Sequence, residues 1–95
     1  MDVARTYGNI GNVLERQGKL QEALESNQKA LEIFRTSLGD SHVSSANTKY
    51  NMALIHRNQG ENNQARILFR EAAAVYAQVH GAEHSETIDA LSQAK

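Results

Sequence analysis

Polar side chains recur at helical spacing in two separate stretches of the sequence. Each stretch places four residues at i, i+4, i+7 and i+11, which is one face of an α-helix: Arg5, Asn9, Asn12 and Arg16 in the first, and Asn47, Asn51, Leu54 and Asn58 in the second. Because a carboxamide both donates and accepts hydrogen bonds, such rows are suited to hold the backbone of an extended peptide. The two arginines favour an acidic peptide, whereas Asp89, which continues the row with Gln93, opposes one.

The same rows also fit a merely exposed helix surface. Asn is a poor helix former, however, and a surface selected only for stability would favour Glu, Lys or Ala, so we prefer the binding interpretation. Tyr50 lies beside the second row. Its ring either anchors a ligand or packs against a neighbouring helix, and the sequence favours neither alternative.

Histidines offer a second kind of chemistry. His80, Glu83 and His84 lie close together, and two histidines with one carboxylate resemble an incomplete zinc site. His42 and His84 are 42 residues apart, like Asn9 and Asn51, which favours a structural role for these histidines at helix ends. His56 is expected on an inner helix face as a hydrogen-bonded core residue.

Catalytic patterns are weak in this sequence. No nucleophile and base occur at an informative spacing, and we expect Ser44 and Ser45 to cap a helix. The segment from Gly8 to Gly11 lies inside a predicted helix and lacks the Lys-Ser/Thr of a phosphate-binding loop. We therefore expect no enzymatic activity, no metal and no cofactor.

The elements that position these residues form an internal repeat of 42 residues. Shifted by that period, the chain aligns residues with structural roles: Gln17-Gly18 with Gln59-Gly60, Ala23 with Ala65, Ala30 with Ala72, Gly39 with Gly81, and His42 with His84. We expect repeat one at 2–39, repeat two at 40–81, and a partial third repeat or capping helix at 82–95. The first unit lacks its preceding link and the last helix is short, so we expect a fragment of a longer array.

The residue pattern of each unit predicts two helices. An apolar face of Val3, Tyr7, Ile10 and Leu14 marks the first helix, and Gly18 ends it because glycine accepts the left-handed conformation of a helix C-terminus. The short loop that follows forces the next helix to run antiparallel. The same reasoning along the chain predicts helices at 2–17, 20–38, 43–59, 62–80 and 85–94.

The composition limits the classes of partner and of site that we expect for this chain. The net charge is −1, which argues against nucleic acid or an anionic membrane as the main partner. There is no Cys, so disulfides are excluded and zinc loses its commonest ligand. No apolar run is long enough to span a bilayer, no signal peptide is evident, and a cytoplasmic location is expected.

Small residues at fixed places resemble the tetratricopeptide repeat: Gly11 and Ala53, Ala23 and Ala65, Ala30 and Ala72. Asp-Val-Ala near the start, Gln-Gly-Lys, Glu-Ala, Lys-Ala-Leu-Glu-Ile and Leu-Gly-Asp-x-His resemble the 42-residue variant of kinesin light chains. Val43 and Ser85 stand where that variant usually has Pro. The resemblance implies an all-α, right-handed superhelix of antiparallel helix pairs that binds protein or peptide partners. It also implies a concave groove lined by the first helix of each pair, in which Asn9 and Asn51 grip the peptide.

A second hypothesis concerns self-association. The apolar face of the first helix has no preceding helix pair to cover it. A second copy of the chain would cover this face end to end or by exchanging a helix. An architectural, homo-oligomeric role is therefore the alternative to peptide binding.

Overall fold

The computed structural model describes residues 2–95, without the side chain of Asp2. Helices account for most of this described part, and their bounds are α1 Asp2–Arg16, α2 Leu20–Leu38, α3 Val43–Asn58, α4 Asn62–His80 and α5 Ser85–Gln93. Each predicted helix end lies within one residue of the observed end. The all-α prediction is confirmed.

The helices stack in chain order. The main contacts join α1 to α2, α2 to α3, α3 to α4 and α4 to α5. The resulting body is a slab with principal extents of 33 × 31 × 18 Å. Such nearest-neighbour packing is typical of solenoids, in which each unit is stabilised by the next.

Helix termination follows the glycines of the repeat. Gly18, Gly39, Gly60 and Gly81 are the residues with positive φ among those described, with values from 79 to 98°. Two backbone hydrogen bonds close the C-terminus of α1. The N–H of Gly18 donates to the Glu15 carbonyl at 3.0 Å, and the N–H of Lys19 donates to the Leu14 carbonyl at 2.9 Å. A side chain with L chirality would be strained in this conformation.

Histidines cap the helices that follow the links between units. Nδ1 of His42 accepts the Ser44 N–H at 3.0 Å, and Nδ1 of His84 accepts the Glu86 N–H at 3.1 Å. The predicted helix-end role of both histidines is confirmed. The predicted cap at Ser44 or Ser45 is wrong, because Ser45 Oγ instead donates to the Gly39 carbonyl at 2.9 Å. Thr87 makes the equivalent bond to Gly81 at 2.8 Å.

The core consists of small residues where helices approach closely. These alanines are fully buried: Ala4, Ala23, Ala30, Ala46, Ala53, Ala72 and Ala90. Phe69 of α4 is also fully buried, and the buried side chain of Lys49 forms ion pairs with Asp40 at 3.3 Å and Glu71 at 3.5 Å. Close packing of this kind leaves little room for larger residues. His56 lies at the edge of the core, half-buried, with Nδ1 3.0 Å from Oε1 of Glu61.

The apolar face of α1 is only partly covered. Val3 and Ile10 are 60% and 44% exposed, while Tyr7 and Leu14 are half-buried. The buried side of α1 is formed instead by Ala4 and Gly11.

Candidate functional site

Two predicted rows meet at one open cavity of about 280 Å³ between α1 and α3, with α2 as its floor. Five residues of the predicted rows line it: Arg5, Asn9, Asn12, Asn47 and Asn51. The other lining residues are Ala4, Gly8, Asn27, Phe34, Ser44 and Thr48. We call this space the first cavity.

Most of the amides around the first cavity are available to a ligand. Within the described part of the chain, the side chains of Asn9, Asn12 and Asn51 have no hydrogen-bond partner. Asn47 accepts a bond from the Tyr76 hydroxyl through Oδ1. Of the side chains that the structure describes, Arg5 supplies the one charged group lining the first cavity.

The far end of each predicted row does not reach this cavity. Arg16 and Asn58 are exposed, and Nδ2 of Asn58 lies 3.5 Å from Oε2 of Glu15. Leu54 is half-buried and packs against the apolar cluster that contains Phe69. The structure therefore brings together five of the predicted residues and separates Arg16, Leu54 and Asn58 from them.

Tyr50 packs against a neighbouring helix. Its ring meets that of Phe69 edge-on, with centroids 5.1 Å apart and planes at 75°. Its hydroxyl donates to Oδ2 of Asp89. Burial, followed by the bond to the Asp89 carboxylate, raises the pKa of Tyr50 to about 12.

A second cavity, of about 240 Å³, lies between α3 and α5 and repeats the first one along the chain. Its lining residues are Tyr50, Tyr76, Glu86 and Asp89, which are 42 residues after Gly8, Phe34, Ser44 and Asn47 of the first cavity. The two cavities are thus equivalent places in successive units. They differ in charge, since the second carries two carboxylates.

Asn27, in the floor of the first cavity, was not among the residues predicted from the sequence. Asn27 is 1% exposed, and its Nδ2 donates to the Ala23 carbonyl at 3.0 Å. Its Oδ1 is buried and has no hydrogen-bond partner in the described chain. The sequence did contain a signal for Asn27, because the 42-residue shift pairs this polar residue with Phe69, which occupies a core position.

The histidines near Gly81 form a stacked pair rather than a set of ligands. The rings of His80 and His84 stack with centroids 4.6 Å apart, and Nε2 of His80 lies 3.6 Å from Oε2 of Glu86. Glu83 is exposed. Across residues 2–95 no group of three His, Cys, Asp or Glu side chains has the arrangement to hold a metal ion.

Comparison with known families accounts for this architecture. A family model described as tetratricopeptide repeat matches residues 2–50, and a second model with the same description matches residues 45–86. The chain belongs to the tetratricopeptide repeat family. Tetratricopeptide repeats generally mediate protein–protein interactions and typically serve as non-catalytic scaffolds. No curated protein matches the chain.

The described helices of this tetratricopeptide repeat chain differ from membrane spans. None of those described combines the length and the apolar character needed to cross a bilayer.

Proposed function

We propose that this chain binds an extended peptide segment of a partner protein in the groove between α1 and α3. The observation that carries the proposal is the set of unbonded amides of Asn9, Asn12 and Asn51 around one open cavity. Asn9 is exposed and Asn12 and Asn51 are half-buried, so these amides on two facing helices are open to solvent and can exchange water for a ligand with its own donors and acceptors.

An extended peptide supplies such groups at regular intervals. Its backbone presents alternating N–H and C=O groups, and each amide side chain can pair with one of either kind. The charges along the groove predict the orientation of the bound peptide. Arg5 lines the first cavity and Asp89 the second, so we expect an acidic residue of the peptide at the Arg5 end.

The test compares two double variants of the 95-residue chain. Peptides are selected against the wild-type chain from a random library, and their affinities are measured by fluorescence anisotropy. Asn9→Ala with Asn51→Ala is expected to weaken binding about thirtyfold, because a net hydrogen bond contributes about 1 kcal/mol and two are lost. The matched control, Gln28→Ala with Gln78→Ala, removes two exposed amides of α2 and α4 and is expected to bind like wild type.

Circular dichroism of both variants establishes that the helices are intact. Equal affinity of the groove variant, the control and the wild type would reject the groove. Peptides that compete poorly with one another would also contradict a single site.

Self-association is the second candidate, and the exposed face of α1 favours it. Val3, Ile10 and Val13 are 60%, 44% and 49% exposed. The residues that follow Ile10 and Val13 by 42 positions, Met52 and Ile55, are buried on α3, which packs against α2. Light scattering from micromolar to millimolar concentration tests this idea, and a strict monomer would refute it.

Three further assignments accompany the proposal. We infer repeat units at 2–39 and 40–81, followed by a partial unit at 82–95, from the 42-residue period. We also place the chain in the kinesin-light-chain-like variant and in the cytoplasm. Fluorescence imaging of the tagged chain in cells checks the location.

A further inference from the structure

At one interface the chain places a tyrosine ring where the equivalent position of the other interface has a glycine. Between α3 and α5, the ring of Tyr50 packs on Phe69 and its hydroxyl bonds to Asp89. The residues 42 positions earlier are Gly8, Asn27 and Asn47, so the interface between α1 and α3 has neither ring. Gly8 is open to this space, since a Cβ added there would meet no atom within 4 Å.

An acceptor atom in the floor of the open interface is buried and unpaired. Because Nδ2 of Asn27 must face the Ala23 carbonyl to donate to it, the orientation of the amide is fixed. Its Oδ1 is then left buried, with no hydrogen-bond partner among residues 2–95. Leaving a buried acceptor unpaired destabilises the protein, so a ligand that brings a donor to this atom removes that cost.

We propose that the first cavity receives a tyrosine side chain of the bound peptide, in the place that Tyr50 takes at the next interface. This assignment rests on the proposed peptide-binding function and specifies which side chain the groove selects. The size of the space supports it, because Gly8 stands where the equivalent unit accommodates a whole tyrosine.

The chemistry of the lining disfavours charged side chains and phenylalanine. Among the described side chains no carboxylate lines the first cavity, whereas Arg5 does, which disfavours a lysine or arginine. A carboxylate of the peptide cannot donate to Oδ1 of Asn27, and a phenylalanine leaves that atom unpaired. A neutral O–H on an aromatic ring meets both requirements.

The experiment uses p-cresol, the side chain of tyrosine, and toluene, the side chain of phenylalanine, as probes of the 95-residue chain. Titrations are followed by NMR at the backbone amide of Gly8 and the side-chain amide of Asn27. We expect saturable shifts at both groups, with p-cresol binding at least about fivefold more tightly than toluene. Equal binding of the two probes, or no saturable shift, would overturn the proposal.

Two variants test whether p-cresol binds in the first cavity. Gly8→Tyr fills the first cavity from within and is expected to abolish the p-cresol shifts, and its fold is checked by circular dichroism. Asn27→Leu removes the acceptor at nearly constant size and is expected to make the two probes bind equally. Persistence of the p-cresol preference in either variant would place the probe elsewhere and refute the assignment.

The result is separable from that for the groove as a whole. Loss of peptide affinity in Asn9→Ala with Asn51→Ala, without p-cresol binding, would keep the groove and reject the tyrosine pocket. Saturable p-cresol binding with unchanged peptide affinity in that double variant would reject the groove and keep a phenol-binding cavity.

Discussion

Gly8 and Gly11 lie within one turn of α1, yet a methyl group meets different surroundings at the two positions. A Cβ at Gly8 reaches no atom within 4 Å. A Cβ at Gly11 comes within 2.5 Å of Nδ2 of Asn27 and 3.3 Å of the Ala23 carbonyl. The first glycine therefore keeps a space open, while the second allows α1 and α2 to approach closely.

This difference predicts opposite changes in stability. Gly8→Ala is expected to raise the free energy of unfolding by about 0.5–1 kcal/mol, because alanine favours the helix over the unfolded chain. Gly11→Ala is expected to lower it by about 1 kcal/mol or more, because Asn27 must move and its bond to Ala23 is strained. Urea unfolding of both variants measures the two changes, and a stabilising Gly11→Ala would contradict the packing described.

The ionisation of Tyr50 provides a second measurement at this scale. Burial and then the Asp89 carboxylate raise its pKa from 10.0 to about 12, so the folded chain favours the neutral phenol. The resulting stability is complete below pH 10 and is lost as the pH rises from 10 to 12. Alkaline unfolding should therefore be steeper in wild type than in Tyr50→Phe.

Asp89→Asn is the companion change. It removes the carboxylate that favours the neutral phenol, so the pKa of Tyr50 should fall towards 10.0 while the contribution of burial remains. Ultraviolet absorbance of the phenolate, taken as the difference from Tyr50→Phe, follows this titration. An unchanged pKa would mean that the bond to Asp89 does not form in solution.

Individual site residues were predictable only where their role depends on helical spacing. Arg5, Asn9 and Asn12 were found because they share one face of a single helix. Asn27 was not found, because its importance arises from the contact between α1 and α2 and from the loss of a ring at that place. Tyr50 could not be assigned from the sequence, since its partner Asp89 lies on a helix that is distant along the chain.

At the scale of the elements, local signals determine where helices begin and end. The glycine stops placed the C-terminal ends of α1 to α4 within one residue, because positive φ at a C-terminus is a local requirement. Exposure of the α1 face could not be read from its periodicity alone. Val3 and Ile10 have the same spacing as buried residues of α3, and only the presence of a neighbouring helix distinguishes the two cases.

The histidine caps give the prediction that belongs to this scale. His42→Ala removes the acceptor for the Ser44 N–H and is expected to lower the free energy of unfolding by about 0.5–2 kcal/mol. His42→Asn retains a side-chain acceptor and should restore most of that loss. Thermal unfolding followed by circular dichroism compares the two, and equal losses would assign the effect to lost packing instead of the cap.

At the scale of the whole molecule, stability is unevenly distributed because each helix relies on its chain neighbours. Buried residues are concentrated on α3 and α4, which pack against each other and against α2 and α5. The main contacts of α1 are with α2, and those of α5 are with α4. The two ends of the stack therefore have the least support.

Native-state hydrogen exchange should show this gradient. We expect the slowest amide exchange in α3 and α4 and faster exchange in α5 and α1, because local opening begins where few neighbours must be displaced. Gly8→Ala serves as the control and should slow exchange in α1 selectively. Uniform protection over the five helices would indicate a single cooperative unit and contradict the prediction.

The positive-φ glycines at 18, 39, 60 and 81 recur every 21 residues, half the period of the repeat. The chain therefore reverses its direction at equal intervals. Odd-numbered helices line the groove, and even-numbered helices lie behind it. Insertion of 42 residues would preserve that parity and lengthen the groove, whereas insertion of one 21-residue segment would exchange inner and outer helices from that point onward. Such a chain can therefore be lengthened only by complete helix pairs.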